Sequence, residues 1–127
     1  MQTENRLLYV SLGANTGRRA ESIGRAVAMM EEEIGKCTAC SRLYETEPQG
    51  FASPHLFLNA AAAFSTVLSA SEILQITQHI ERRLGRTAKS TGGHYADRPI
   101  DIDLLMLGDE VSDEPALRLP HPLMAER

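Results

Sequence analysis

Apolar residues along this chain switch between strand-like runs and helix-like spacing. Leu7-Leu8-Tyr9-Val10-Ser11-Leu12 is nearly all apolar, the pattern of a buried strand, and Gly13 is expected to end it. Ala14-Asn15-Thr16-Gly17 has the composition of a turn. Over residues 18–34, Ile23, Ala26, Val27, Met30 and Ile34 recur at helical spacing, which predicts a helix with one buried stripe. Glu31, Glu32 and Glu33 fall on its solvated side, and Gly35 is expected as its C′ residue. Thr38–Tyr44 reads as a second strand, and Glu45–His55, with its prolines and glycine, as a loop. Phe57–Thr66 reads as a third strand, rich in alanine and so expected to pack tightly. Ser69 and Glu72 stand at capping-box spacing and open a predicted helix over 70–84. Its stripe is Ile73, Ile76, Ile80 and Leu84, and Gly85 closes it. Residues 86–97 show no apolar period and form a long predicted loop. A fourth predicted strand of about 5–8 residues, carrying Asp101 and Asp103, lies within Arg98–Gly108; an acidic turn over 109–114 and the segment Leu117–Arg127 follow.

The order β-α-β-β-α-β, with right-handed crossovers, predicts an α+β fold: a ferredoxin-like sandwich with both helices on one face of an antiparallel sheet. The other face is left for loops and ligands. Phe57 and Asn59 share a face at period two, and that face can be the one that carries Asp101 and Asp103.

Those two aspartates are the sharpest chemical signal. On a strand their Cα atoms lie about 6.5–7 Å apart and their side chains leave the same face. Carboxylates at that separation can hold one Mg²⁺ or bracket a pair of ions. Like charges on an apolar strand are costly unless a cation compensates them. Arg98, just upstream, can grip a phosphate with its planar fork. The competing reading is an edge strand whose charges discourage pairing with other chains.

Length and composition narrow the class. The 127 residues make one expected domain, 1–127, with 43% hydrophobic residues, enough for a core. A formal charge of −4 argues against a general nucleic-acid surface. No apolar run approaches the length of a membrane span, and no signal-peptide core follows the N-terminus, so the expected location is cytoplasmic. Cys37 and Cys40 form Cys-x-x-Cys, which suits a redox pair or half a zinc site. No second closely spaced Cys or His pair exists, and the motif leads into a predicted strand, so they read as ordinary reduced cysteines.

Six motifs occur in order: Ser11-Leu-Gly-Ala-Asn15, Tyr44-Glu-Thr-Glu-Pro-Gln-Gly50, Phe57-Leu-Asn59, Ile80-Glu81 with Gly85-Arg86, Arg98-x-x-Asp101-Ile-Asp103-Leu-Leu, and Leu119-Pro-His-Pro122 with Arg127. Together they span essentially the whole chain and resemble the 6-hydroxymethyl-7,8-dihydropterin pyrophosphokinases of folate biosynthesis. The resemblance implies transfer of pyrophosphate from ATP to the hydroxymethyl group of the reduced pterin, with release of AMP. It implies two Mg²⁺ ions held by Asp101 and Asp103, with Asp101 also toward the pterin. Gly13, Thr46, Gln49, Phe57, Asn59 and Asp101 match pterin-side positions. Phe57 is implied to stack on the ring and Asn59 to bond its polar edge. Gln78, Glu81, His121 and Arg127 match ATP-side positions. Arg86, Lys89 and Arg98 are implied to approach the triphosphate, Arg86 and Arg98 with a catalytic part. The loop 86–97, with Gly92-Gly93, is implied to close over the site. The partners implied are small molecules alone, with no nucleic acid and no membrane, on a monomer.

The sequence departs from the family pattern in the loop 86–97, about two residues longer than the commonest form, in the first turn and at the C-terminus. Lys89 stands where arginine is usual, a phosphate partner without the bidentate fork. The usual loop tryptophan is matched best by Tyr95, after His94. Thr16-Gly17-Arg18-Arg19 replaces a leucine-glycine-aspartate-arginine turn. The sequence also reads as a C-terminally short form. Family members usually continue with an aromatic that closes the second face of the pterin pocket, and Tyr95 is a candidate to supply that face here. A shortened, non-catalytic nucleotide- or pterin-binding relative is the alternative reading.

Overall fold

In the computed structural model, residues 4–46, 56–85, 99–114 and 117–121 are described. They form β1 (Arg6–Ala14), α1 (Arg19–Glu33), β2 (Lys36–Cys40), β3 (Tyr44–Thr46), β4 (Phe57–Thr66), α2 (Ala70–Arg83), β5 (Asp101–Leu107), β6 (Ser112–Glu114) and β7 (Leu117–Leu119). The main sheet is antiparallel in the order β2-β4-β1-β5, with β3 also paired to β4. This is the strand order of the expected ferredoxin-like α+β sandwich.

One face of the sheet makes the core. Leu8, Val10, Leu12 and Ala14 of β1 alternate into it, beside Ala60, Ala62 and Phe64 of β4 and Ile102 and Leu104 of β5. The helices cover that face with Ile23, Ala26 and Met30 from α1 and Ile73 and Ile80 from α2. The capping box opens α2 as expected: Glu72 N–H donates to Ser69 Oγ at 3.2 Å, and Ser69 N–H to Glu72 Oε1 at 3.2 Å. Gly85, at φ +110°, closes it.

Several expectations change. The strand expected over 38–44 is two strands, and Glu45 and Thr46 belong to β3 rather than to a loop. Ser41 causes the break. Its own N–H donates to Ala61 O at 2.8 Å while its hydroxyl accepts from Ala61 N–H at 2.8 Å, so a side chain replaces a ladder carbonyl and the backbone is free to turn. Cys37 and Cys40 lie inside β2, on either side of a register shift, rather than ahead of a strand. Gly13 does not end β1; the strand continues through Ala14, and Gly17, at φ +68°, makes the turn. Gly35 is not a left-handed cap. A Cβ there would stand 1.9 Å from Ser65 O, so the glycine permits close approach of α1's end to β4. The acidic turn and the segment after it contain the β6–β7 hairpin, whose strands are too short to show a clear period.

Candidate active site

The second face of the sheet carries the polar groups. Registered antiparallel partners leave the same face, so three pairings place Tyr44, Asn59, Gly13 and Asp101 in one row across β3, β4, β1 and β5. The next row in one direction is Thr46 and Phe57; in the other it is Ala61, Ser11 and Asp103. Adjacent strands are about 4.8 Å apart, so Asn59 and Asp101 flank a gap of about 10 Å floored by Gly13. That glycine keeps the floor open: a Cβ would lie 3.0 Å from Asn59 Oδ1 and 3.4 Å from the Phe57 ring.

Asn59 is held in one orientation. Its Nδ2 donates to Thr46 Oγ1 at 2.8 Å and also lies 3.3 Å from the carbonyls of Tyr44 and Phe57. Its Oδ1 is thereby the atom turned toward Gly13. The hairpin that carries Thr46 and Phe57 is tied to α1 by Arg19, whose Nη1 reaches Glu45 Oε2 at 3.0 Å and Leu56 O at 2.8 Å. Arg19 thus grips both sides of the segment 47–55. The sequence reading saw it only as part of the helix start, because its partners are more than twenty-five residues away. Ser11, which opens the first motif, stands opposite Asp103, a neighbour that only the register reveals.

Asp101 and Asp103 are half-buried on β5, as the period-two reading required. Among the described residues no three His, Cys, Asp or Glu side chains gather. Two carboxylates two positions apart on one strand are the hard oxygen donors that suit Mg²⁺, an ion usually held by one or two carboxylates together with water and phosphate oxygens.

Of the residues matched to the nucleotide side, Glu81 and His121 are tied to β5. Glu81, on α2, is buried, and its Oε2 accepts from Ile102 N–H at 2.7 Å. Gln78 stands three residues earlier on α2 and is exposed. His121 N–H donates to Leu105 O at 2.8 Å, so the chain after β7 is fastened to β5. Gln49, Arg86, Lys89, Tyr95, Arg98 and Arg127 lie outside the described residues, as does the loop 86–97.

An apolar groove of about 500 Å³ continues the same face, floored by Tyr9, Ala61, Ala63 and Met106. Neither aspartate, nor Asn59, lines it. Cys40 lies at its rim and is exposed. Burial pushes the Cys37 thiol above its ordinary range. Both cysteines sit along the 62–65 half of β4, away from the Phe57–Asn59 end, and take no part in the polar rows.

The family model described as 7,8-dihydro-6-hydroxymethylpterin-pyrophosphokinase (HPPK) matches residues 9–127. A 2-amino-4-hydroxy-6-hydroxymethyldihydropteridine pyrophosphokinase of Porphyromonas gingivalis is 50% identical over 122 residues, covering 95% of this chain and 83% of that protein. The enzyme of the same name from Bacillus subtilis is 37% identical over 124 residues, covering 97% of this chain and 72% of that one. The crystal structure of Plasmodium falciparum HPPK-DHPS with pteroate is similar in fold, with a TM-score of 0.61 at 17% identity, over 86% of this chain and 30% of that one. With half of the positions shared with one relative across nearly the full chain, and the family pattern running from Tyr9 to Arg127, this chain belongs to the 7,8-dihydro-6-hydroxymethylpterin pyrophosphokinase family.

Proposed function

We propose that the chain performs the pyrophosphoryl transfer of folate biosynthesis on the polar rows of its open sheet face, with ATP as donor and 6-hydroxymethyl-7,8-dihydropterin as acceptor. The observation that carries this reading is the order of residues across the sheet. Groups suited to a flat, polar heterocycle stand on β3, β4 and β1; the two carboxylates stand next, on β5; Glu81 and the attachment of His121 lie beyond them. An acceptor on one side and a triphosphate on the other would meet at the carboxylates.

Each group then has a physical task. Phe57 offers a ring for stacking and Asn59 Oδ1 accepts a hydrogen bond from the pterin edge, while Gly13, Thr46 and Gln49 contribute largely through their backbones. In this proposal Tyr95 would supply the opposite face of the pterin. Asp101 and Asp103 would hold Mg²⁺, two ions in this proposal, which when bound supplies charge neutralisation to the triphosphate and acidity to the acceptor hydroxyl. The acceptor oxygen attacks the β-phosphorus, the bond to the α–β bridging oxygen breaks, and AMP leaves. Arg86, Arg98 and Lys89 neutralise charge on the phosphates, and Gln78, His121 and Arg127 hold the nucleotide. Because such transfer needs alignment and charge compensation more than covalent chemistry, a rigid sheet is an apt platform.

AMP formation from Mg²⁺-ATP, measured with and without the pterin, tests the proposal. Pterin-dependent AMP is the expected result. Binding of ATP by folded protein with no AMP would favour the non-catalytic reading instead.

A further inference from the structure

We propose that Glu81 is a positioning residue for the two aspartates, acting on the reaction through the backbone of β5. The inference rests on the pyrophosphokinase reading and adds a task to one of its residues. Among the described residues β5 pairs within the main sheet only with β1, so its outer edge has no strand partner. Ile102 N–H points off that edge, between the two aspartates, and would be an orphan donor in a buried place. Glu81 Oε2 takes it at 2.7 Å, in the range of a charge-assisted bond. Glu81 itself is only 9% exposed.

The geometry gives this bond its consequence. Ile102 N–H belongs to the planar peptide that begins at Asp101, so fixing the N–H fixes the plane and with it the direction in which Asp101 leaves the strand. The next peptide carries Asp103. The Ile102 side chain is buried under the helices, so the link has two anchors: the side chain in the core and the N–H on α2. His121 N–H holds the same edge farther along, at Leu105 O. Glu81 therefore stands to the two aspartates as a hydrogen-bonding partner stands to a metal ligand: it orients the backbone that carries them. Removing partners of that kind commonly costs about 10–100-fold in metal affinity or activity.

The test compares Glu81→Ala and Glu81→Gln with the parent protein by three readouts. These are hydrogen exchange at the Ile102 amide, binding of Mn²⁺ alone followed by electron paramagnetic resonance, and steady-state kinetics. In E81A, Ile102 should exchange faster, Mn²⁺ should bind about 10-fold or more weakly, and kcat should fall about 10–100-fold with the KM for ATP little changed. E81Q, which can still accept the bond, should recover most of each loss. A raised KM for ATP with unchanged Ile102 exchange and Mn²⁺ binding would overturn the proposal in favour of direct nucleotide contact. A lowered melting temperature with Mn²⁺ binding and kcat intact would overturn it in favour of a purely structural role. Should E81A not fold, Glu81→Asp, which keeps the charge but loses reach, takes its place in the same comparison. Absence of AMP from the parent protein would defeat the functional reading alone, since exchange and Mn²⁺ binding still report on the clamp.

Discussion

Along β4, Ala60, Ala62 and Phe64 turn toward the helices while Phe57, Asn59 and Ala61 turn away, and the same division runs through β1 and β5. The two faces share every strand and every ladder bond, yet their side chains answer to different demands. On the covered face, residues from both helices and three strands close on one another and little polar area is left to satisfy. On the open face, the row from Tyr44 to Asp101 mixes an aromatic, an amide, a missing side chain and a carboxylate. What the difference teaches is that stability and chemistry are separable here at single-residue resolution: shifting a position by one residue along a strand moves it from one task to the other.

That separation can be broken most forcefully at β5. Asp101→Ala and Asp103→Ala should each lower turnover by about a thousandfold or more, because each removes a charged group from one shared cation position. Their melting temperatures should stay near or above that of the parent protein, since two like charges are relieved. Near-normal rates in both variants would reject the proposed mechanism. On the opposite face, Phe64→Ala should cost about 3–5 kcal/mol in denaturant unfolding, because the ring is fully buried. Under strongly native conditions its turnover should remain measurable.

A finer cut goes through Gly13. Gly13→Ala would bring a methyl to 3.0 Å from Asn59 Oδ1 and onto the gap's floor. The expected result is a rise of about tenfold in the KM for the pterin, about 1.4 kcal/mol of binding, with a smaller change for ATP. Equal effects on both substrates would blur the division between the β4 side and the β5 side. The smallest expected effect concerns the thiols. Cys40 is exposed, whereas burial raises the Cys37 pKa, so less of Cys37 is thiolate at any pH below that raised value. Alkylation of the native protein should modify Cys40 first. Cys37 should follow only as pH climbs past the ordinary thiol range, and loss of pterin-dependent AMP formation should not accompany either event.

Much of this was legible in the residues. Phe57–Thr66 and the capping box of α2 are local signals with local causes, and both appear where the pattern put them. The aspartates' shared face needed only the two-residue period. What escaped depends on partners far along the chain. Gly13 looks like a strand end until the register sets it between Asn59 and Asp101. Gly35 looks like a helix cap until Ser65 is seen beneath it. The break between β2 and β3 hangs on one hydroxyl, Ser41, taking a place in the ladder. Glu81 matches a nucleotide-side position, and nothing near it in the sequence announces that it also takes a backbone N–H twenty-one residues on.

The row that joins Tyr44, Asn59, Gly13 and Asp101 has a kinetic corollary. Its members come from four stretches of chain, and no two neighbours in the row are closer than fifteen positions in sequence. Nothing local can preassemble them, and each pairing requires the closure of a long loop. A chain with this pattern of distant contacts folds more slowly than one built from neighbours. The row is complete only when β1 has found β4 on one side and β5 on the other. Recovery of catalysis after dilution from denaturant should therefore trail helix formation and coincide with the last strand pairing, making enzymatic activity a clock for the sheet.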